Sequence, residues 1–147
     1  NGHERQWPRS EAKVDRWQIC RFTPPSHIMI DVGVALAGKG GFDAAPEHKA
    51  YSVVVDFITP ETETSHWYHW GMARQFKPED AALTEKIRVG QGSIFNEDME
   101  MLQLQQANIS KWPDRKLLML NIDSGGVQSR RIIDRWLALE NTTGVAA

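Results

Sequence analysis

Residues 49–76 read KAYSVVVDFITPETETSHWYHWGMARQF, and the fold turns on how they are read. The first part carries three consecutive valines, Val53, Val54 and Val55, ahead of Asp56, Phe57 and Ile58. Runs rich in β-branched and aromatic residues favour an extended backbone. Thr59–Thr64, "TPETET", then reads as a turn, and "SHWYHWGMARQF" returns as an aromatic strand. Two strands joined without an intervening helix predict antiparallel pairing.

The same pattern extends toward the N-terminus. "VDRWQICRF" (14–22) alternates loosely, and Thr23-Pro24-Pro25 interrupts it because proline cannot donate to a ladder. In "HIMIDVGVALAG", Ile28, Ile30, Val32 and Val34 point one way, with Met29, Asp31 and Gly33 the other. The Gly38–Gly41 stretch, with Pro46 and Glu47 after it, predicts an exposed loop.

Beyond Lys77 the character changes. Pro78, Glu79 and Asp80 predict a helix start, with Pro78 in the first turn. Ala81, Leu83 and Ile87 continue that helix until Gly90-Gln91-Gly92, where a break or kink is expected. Asn96 then suits the cap of a second helix reaching about Ala107. "KLLMLNID" (116–123) reads as a short strand or an extended segment over the core. Gly125-Gly126 precede a last helix with an apolar stripe at Ile132, Ile133, Trp136 and Leu137. Strands followed by helices make an α+β fold, with a polar segment at 1–13 and the folded part at 14–147.

Composition narrows the function. The chain has 147 residues, of which 41% are hydrophobic and 24% charged, and its formal net charge is −2. That length suits one core. Basic residues never run beyond a pair, so no nucleic-acid footprint is present. No apolar run reaches membrane-spanning length, and a soluble, cytoplasmic protein is expected. The single cysteine, Cys20, rules out a disulfide framework or a two-cysteine metal centre within the chain. Trp67, Trp70, Trp112 and Trp136 are expected in the core.

"IFNEDMEMLQLQQ" (94–106) raises the functional question. Asp98 lies four residues after Ile94 and three before Met101, so a helix puts it on an apolar stripe. Three readings stay open for it. A first-turn carboxylate favours the helix macrodipole by ~0.3–1 kcal/mol. A general acid or base shifted by apolar surroundings is the second. A metal ligand is the third, because a buried carboxylate needs a partner charge. His66 and His69, three apart on a strand, face opposite sides and do not form a ligand pair.

Taken together, "VDRWQICRFTPPSHIMIDVGVALAG", "FITPETETSHWYHWGMARQF", "IFNEDMEMLQLQQ" and "LNIDSGGVQSRRIIDRWLALE" carry a wider likeness. In order and spacing they resemble the C-terminal part of the oxygenase subunit of Rieske non-haem iron oxygenases. The branch is the one containing vanillate O-demethylase and dicamba monooxygenase, and the likeness runs from about Val14 to Glu140. It implies a helix-grip fold, an antiparallel sheet packed on C-terminal helices, present here as a partial domain. It also implies that Asp98 is the carboxylate of a two-histidine, one-carboxylate Fe(II) site. The two histidines belong upstream in that family, and His3 and Cys20 supply neither them nor the [2Fe-2S] Rieske cluster.

The remaining implications concern substrate and partners. The family oxidises small aromatic compounds with dioxygen, using electrons from NAD(P)H through a reductase or ferredoxin, and is usually a homotrimer. In this branch a methoxy or methyl carbon is hydroxylated, and formaldehyde leaves after O-demethylation. The likeness places substrate between sheet and helices and matches Ile30, Asp56 and Val89 to substrate contacts. All three differ from the dicamba pattern, so that substrate is not expected. Asp56 in the pocket would repel a benzoate at short range and favour a neutral or hydroxyl-bearing ring. A salt bridge to a neighbouring arginine, or a sheet-edge position, would account for Asp56 equally well. The rival function is a non-enzymatic helix-grip module that holds an apolar small molecule.

Overall fold

The computed structural model describes residues 12–143, so most of the polar segment at 1–13 lies outside the described residues. Four strands, β1 (Val14–Thr23), β2 (His27–Leu36), β3 (Lys49–Pro60) and β4 (His66–Arg74), form one sheet in the order β1-β2-β3-β4. Every neighbouring pair is antiparallel. This is the expected meander. Its clearest joint is the β3–β4 hairpin, where Pro60 pairs with His66. Inside that turn, Ser65 Oγ donates to Glu61 Oε2 at 2.9 Å and lies 2.6 Å from Thr62 Oγ1. These short polar side chains tie the turn to itself and so hold the strand register.

One end of the sheet is closed by a loop rather than by a helix. Trp17 on β1 lies across Gly33 on β2, its register partner, where a side chain would collide with the indole. Its ring meets Phe42 edge-on at 5.9 Å, within the short 3-10 turn Gly41–Asp43. Ala35 and Ala44 are buried there, and Lys49 Nζ donates to the Phe42 carbonyl at 2.7 Å. Edge-to-face rings and small neighbours account for this patch.

The helical part is a separate compact unit that begins at Glu79. It holds α1 (Ala81–Lys111), a short 3-10 turn at Asn121–Asp123, and α2 (Ser124–Thr143). Asp80 is the N-cap of α1, accepting from Leu83 N at 2.9 Å, so Pro78 lies before the helix and not in its first turn. The expected break at Gly90-Gln91-Gly92 does not occur. α1 runs unbroken for 31 residues, and Asn96 is interior rather than a cap. A glycine costs about 1 kcal/mol in a helix interior. A break would orphan up to four N–H and four C=O groups, and the Leu-, Glu- and Gln-rich flanks favour continuation. Continuity wins.

A Cβ at either Gly90 or Gly92 would meet nothing within 4 Å. Gly90→Ala and Gly92→Ala are each expected to stabilise the protein by ~0.5–1 kcal/mol, additive in the double variant. A urea unfolding midpoint that moves downward would contradict this.

Residues 112–120 are neither helix nor strand, and Leu118 is 83% exposed, so "KLLML" (116–120) is irregular and lies over no core among the described residues, while Asn121–Asp123 form the 3-10 turn. Gly125 and Gly126 fall inside the first turn of α2 rather than ahead of it. On its stripe, Ile132 and Ile133 are half-buried, whereas Trp136 and Leu137 are exposed. Among the described residues, no helix is long and apolar enough to cross a membrane.

Candidate functional site

On the sheet, Ile30 pairs with Val54, Ile28 pairs with Asp56, and Asp56 pairs with Trp70. Side chains alternate along strands, so Ile28, Ile30, Val54, Asp56, Tyr68, Trp70 and Met72 share one face. Two of the three expected substrate contacts, Ile30 and Asp56, are thereby brought together. β3 is an interior strand, so Asp56 does not sit at a sheet edge.

Asp56 is only 3% exposed, and its Oδ1 has no hydrogen-bond partner among the described residues. Its carboxylate is hydrogen-bonded by the Tyr68 side chain rather than by an arginine. Burial pushes the pKa of Asp56 up, and the Tyr68 hydrogen bond opposes this only in part. A buried acceptor without a donor costs about 1–3 kcal/mol.

The pH consequence has a definite sign. A carboxyl whose pKa is raised by folding binds its proton more tightly in the folded state. Its stabilisation is complete below the unfolded value and is lost as pH rises through the folded one. Asp56→Asn carries no charge and escapes that loss. The variant is expected to unfold at higher urea than the native protein at pH 7, with the gap closing toward pH ~4. A gap that is constant with pH would contradict the assignment.

Asp31 belongs to the opposite face. Trp17 Nε1 donates to Asp31 Oδ1 at 3.0 Å, which gives this acid a structural partner and separates its role from that of Asp56. His66 and His69 do stand on opposite faces, as expected, and His27 packs edge-on against its register partner Phe57 at 5.0 Å. The tryptophans depart from expectation. Of the four expected in the core, Trp67, Trp112 and Trp136 are exposed and Trp70 is half-buried. Trp67 lies near the hairpin tip, one residue out of phase with Trp70's face.

Asp98 lies in the interior of α1, far from its first turn. The macrodipole acts within about one turn of a helix end, so it gives Asp98 and Glu97 no support there. At about 100° per residue, Ile87, Ile94, Met101, Leu102 and Ile109 fall on the Asp98 side of the helix. The apolar stripe is therefore longer than the local sequence suggested, with one carboxylate at its middle. Asp98 is exposed among the described residues, which differs from the inward position expected of it. So are its apolar companions, with Ile94 52% and Met101 68% exposed. Val89 is nine residues from Asp98, or about 180° around the continuous helix. The two do not share a face of α1.

Among the described residues, no group of three His, Cys, Asp or Glu side chains could hold a metal ion. Asp98 offers a single hard oxygen donor, suited to a divalent iron that takes its other ligands elsewhere. Tyr68 and Trp70 were not singled out from the sequence. The hairpin register could have found them, since counting back from the turn places both on the Asp56 face.

Comparison with known proteins fits this arrangement to a family. The model of the vanillate O-demethylase oxygenase C-terminal domain matches residues 1–139. The chain belongs to that family. It is 65% identical over 137 residues to a vanillate O-demethylase oxygenase subunit from a Pseudomonas species, covering 93% of this chain and 39% of the relative. A toluene-4-sulfonate monooxygenase iron-sulfur subunit from Comamonas testosteroni is 40% identical, over 89% of this chain and 38% of its own. The oxygenase component of a chloroacetanilide N-alkylformylase from Rhizorhabdus wittichii is 30% identical, over 91% of this chain and 38% of the relative. The chain thus spans about two-fifths of the length of these relatives. No solved structure matches it. As a vanillate O-demethylase-type C-terminal domain, it has the α+β class and the family that its sequence pattern implied.

Proposed function

We propose that the whole protein is the oxygenase subunit of a Rieske-type non-haem iron monooxygenase that demethylates a small methoxy-substituted aromatic compound. The observation that carries this reading is the 65% identity, over 93% of the chain, to a vanillate O-demethylase oxygenase subunit. A passive apolar-ligand module has no comparable support.

In this reading Asp98 is the carboxylate ligand of a mononuclear Fe(II), and two imidazoles come from elsewhere in the longer protein. Its negative charge would offset that of the ferrous ion. When bound, the iron supplies the activation of dioxygen. The sheet face supplies recognition: Ile30 and Asp56, with Trp70 across the strand, form the substrate wall. Electrons are assigned to NAD(P)H through a separate reductase or ferredoxin and a Rieske cluster outside this chain. A trimer in the cytoplasm completes the proposal.

The test is metal analysis of the full-length subunit together with product analysis. It should hold about one mononuclear iron per subunit besides the cluster, and release formaldehyde from a methoxybenzoate when given a reductase and NADH. A full-length protein without mononuclear iron would sink the proposal.

A further inference from the structure

We propose that the arginine face of α2 is the docking surface for an acidic patch on the protein that delivers electrons to this subunit. The inference rests on the oxygenase reading above, which calls for a separate electron donor and leaves its docking surface unassigned. Arg130, Arg131 and Arg135 are exposed, with Asp134 the one acid among them and no lysine anywhere in α2. Over the whole chain acids outnumber bases 19 to 17, so this local excess of cations runs against the composition. Among the described residues none of the three is in an ion pair, not even with Asp134, whereas Arg88 on α1 is held by Glu85 at 2.6 Å.

Helical phase gathers the cations. Arg131 and Arg135, four residues apart, stand about 40° from each other round the helix. Arg135 Nε donates to the Arg131 carbonyl at 3.1 Å, which holds its guanidinium along the helix and leaves less side-chain freedom to lose on docking. Half-buried Ile133 lies about 160° round from both, so the pair faces away from it.

The choice of arginine defines the partner. A planar guanidinium offers a carboxylate two parallel N–H donors and sheds its hydration more readily than an ammonium. Such a face selects aspartate and glutamate side chains. The core of a permanent interface is depleted in charge, so this face does not suit a fixed subunit contact. A transient one suits it. In the oxygenase reading one dioxygen, one NADH and one proton are consumed for each formaldehyde, phenol, water and NAD+ released, so the donor docks and leaves in every turnover. Electron-transfer encounters use small interfaces, and opposite charge raises association rates by about 10- to 1,000-fold.

Steady-state kinetics of the iron-loaded full-length subunit test this, with the concentration of the reductase that supports its demethylation varied. In Arg131→Glu/Arg135→Glu, kcat/KM for reductase should fall at least about 10-fold, with KM for the methoxybenzoate, iron content and oligomeric state at native values. Raising NaCl from about 50 to about 300 mM should lower the native value several-fold and the variant's far less. A single turnover of the dithionite-reduced variant needs no donor and should release as much formaldehyde as the native protein. Arg88→Glu, the same change of charge on α1, should stay within about 2-fold of native. Should the double reversal not fold, Arg131→Gln/Arg135→Gln gives the same readout with a loss of at least about 3-fold. An unchanged kcat/KM for reductase, or an equal loss in Arg88→Glu, overturns the inference while leaving the oxygenase reading intact. So does a variant that loses iron or changes its oligomeric state, because the face is then covered by the rest of the subunit or by a second copy. A native subunit that takes no electrons from NADH through any reductase overturns both.

Discussion

Replacing Asp98 with alanine in the proposed full-length oxygenase subunit is expected to strip its proposed mononuclear iron and to lower demethylation by at least about 100-fold. The magnitude follows from what lesser changes do: losing a group that merely orients a metal ligand costs about 10–100-fold in affinity or activity, so losing a ligand costs at least that. The Rieske cluster, held elsewhere, should keep its visible spectrum, which separates loss of the site from loss of the fold. Glu97→Gln is the matched control. Glu97 is the preceding residue on α1, turned about 100° away, and its loss should leave iron content unchanged. Iron retained at native level in Asp98→Ala would remove Asp98 from the site.

The second large effect concerns stability. A Cβ on Gly33 would collide with Trp17 Cζ2, lie 2.7 Å from Trp17 Cη2, and lie 2.8 Å from the Ala50 carbonyl oxygen. The indole can swing away, but the backbone carbonyl cannot. Swinging the ring also breaks the 3.0 Å bond from Trp17 Nε1 to Asp31 and the edge contact with Phe42. Overpacking of a filled site costs about 1–3 kcal/mol, and a lost hydrogen bond adds about 1 kcal/mol. Gly33→Val should therefore lose about 2–4 kcal/mol, read from the urea midpoint of the intrinsic tryptophan fluorescence. A change under about 0.5 kcal/mol, the ordinary range for surface substitutions, would show that β1 and β2 are not packed as described.

The strands were legible because their signal is periodic and their neighbours are close in sequence. Ile28, Ile30, Val32 and Val34 alternate cleanly, and a short turn leaves the hairpin partner of Lys49–Pro60 little choice. The helix was misread because glycine's cost is local, whereas the hydrogen bonds of the flanking turns are shared along the element. That single error misplaced one functional reading, since it set Asp98 in a first turn. The buried state of Asp56 was hidden for a different reason. Whether an acid inside an apolar strand is paired depends on the residue across the ladder, and Tyr68 and Trp70 become visible only once the register is counted. The proposed iron site was suggested only by resemblance, because the described residues hold no group of three His, Cys, Asp or Glu side chains that could bind a metal ion.

The glycine pair in α1 has a mechanical consequence for whatever Asp98 grips. Gly90 and Gly92 lie eight and six residues before Asp98 along an otherwise well-knit rod. At 1.5 Å per residue the lever arm is about 9–12 Å, so a flexure of about 10° there would sweep the carboxylate sideways by about 2 Å. That distance is comparable to a metal–oxygen bond. In the proposed site, any flexure at Gly90 and Gly92 would carry directly into the position of the Asp98 carboxylate two turns away.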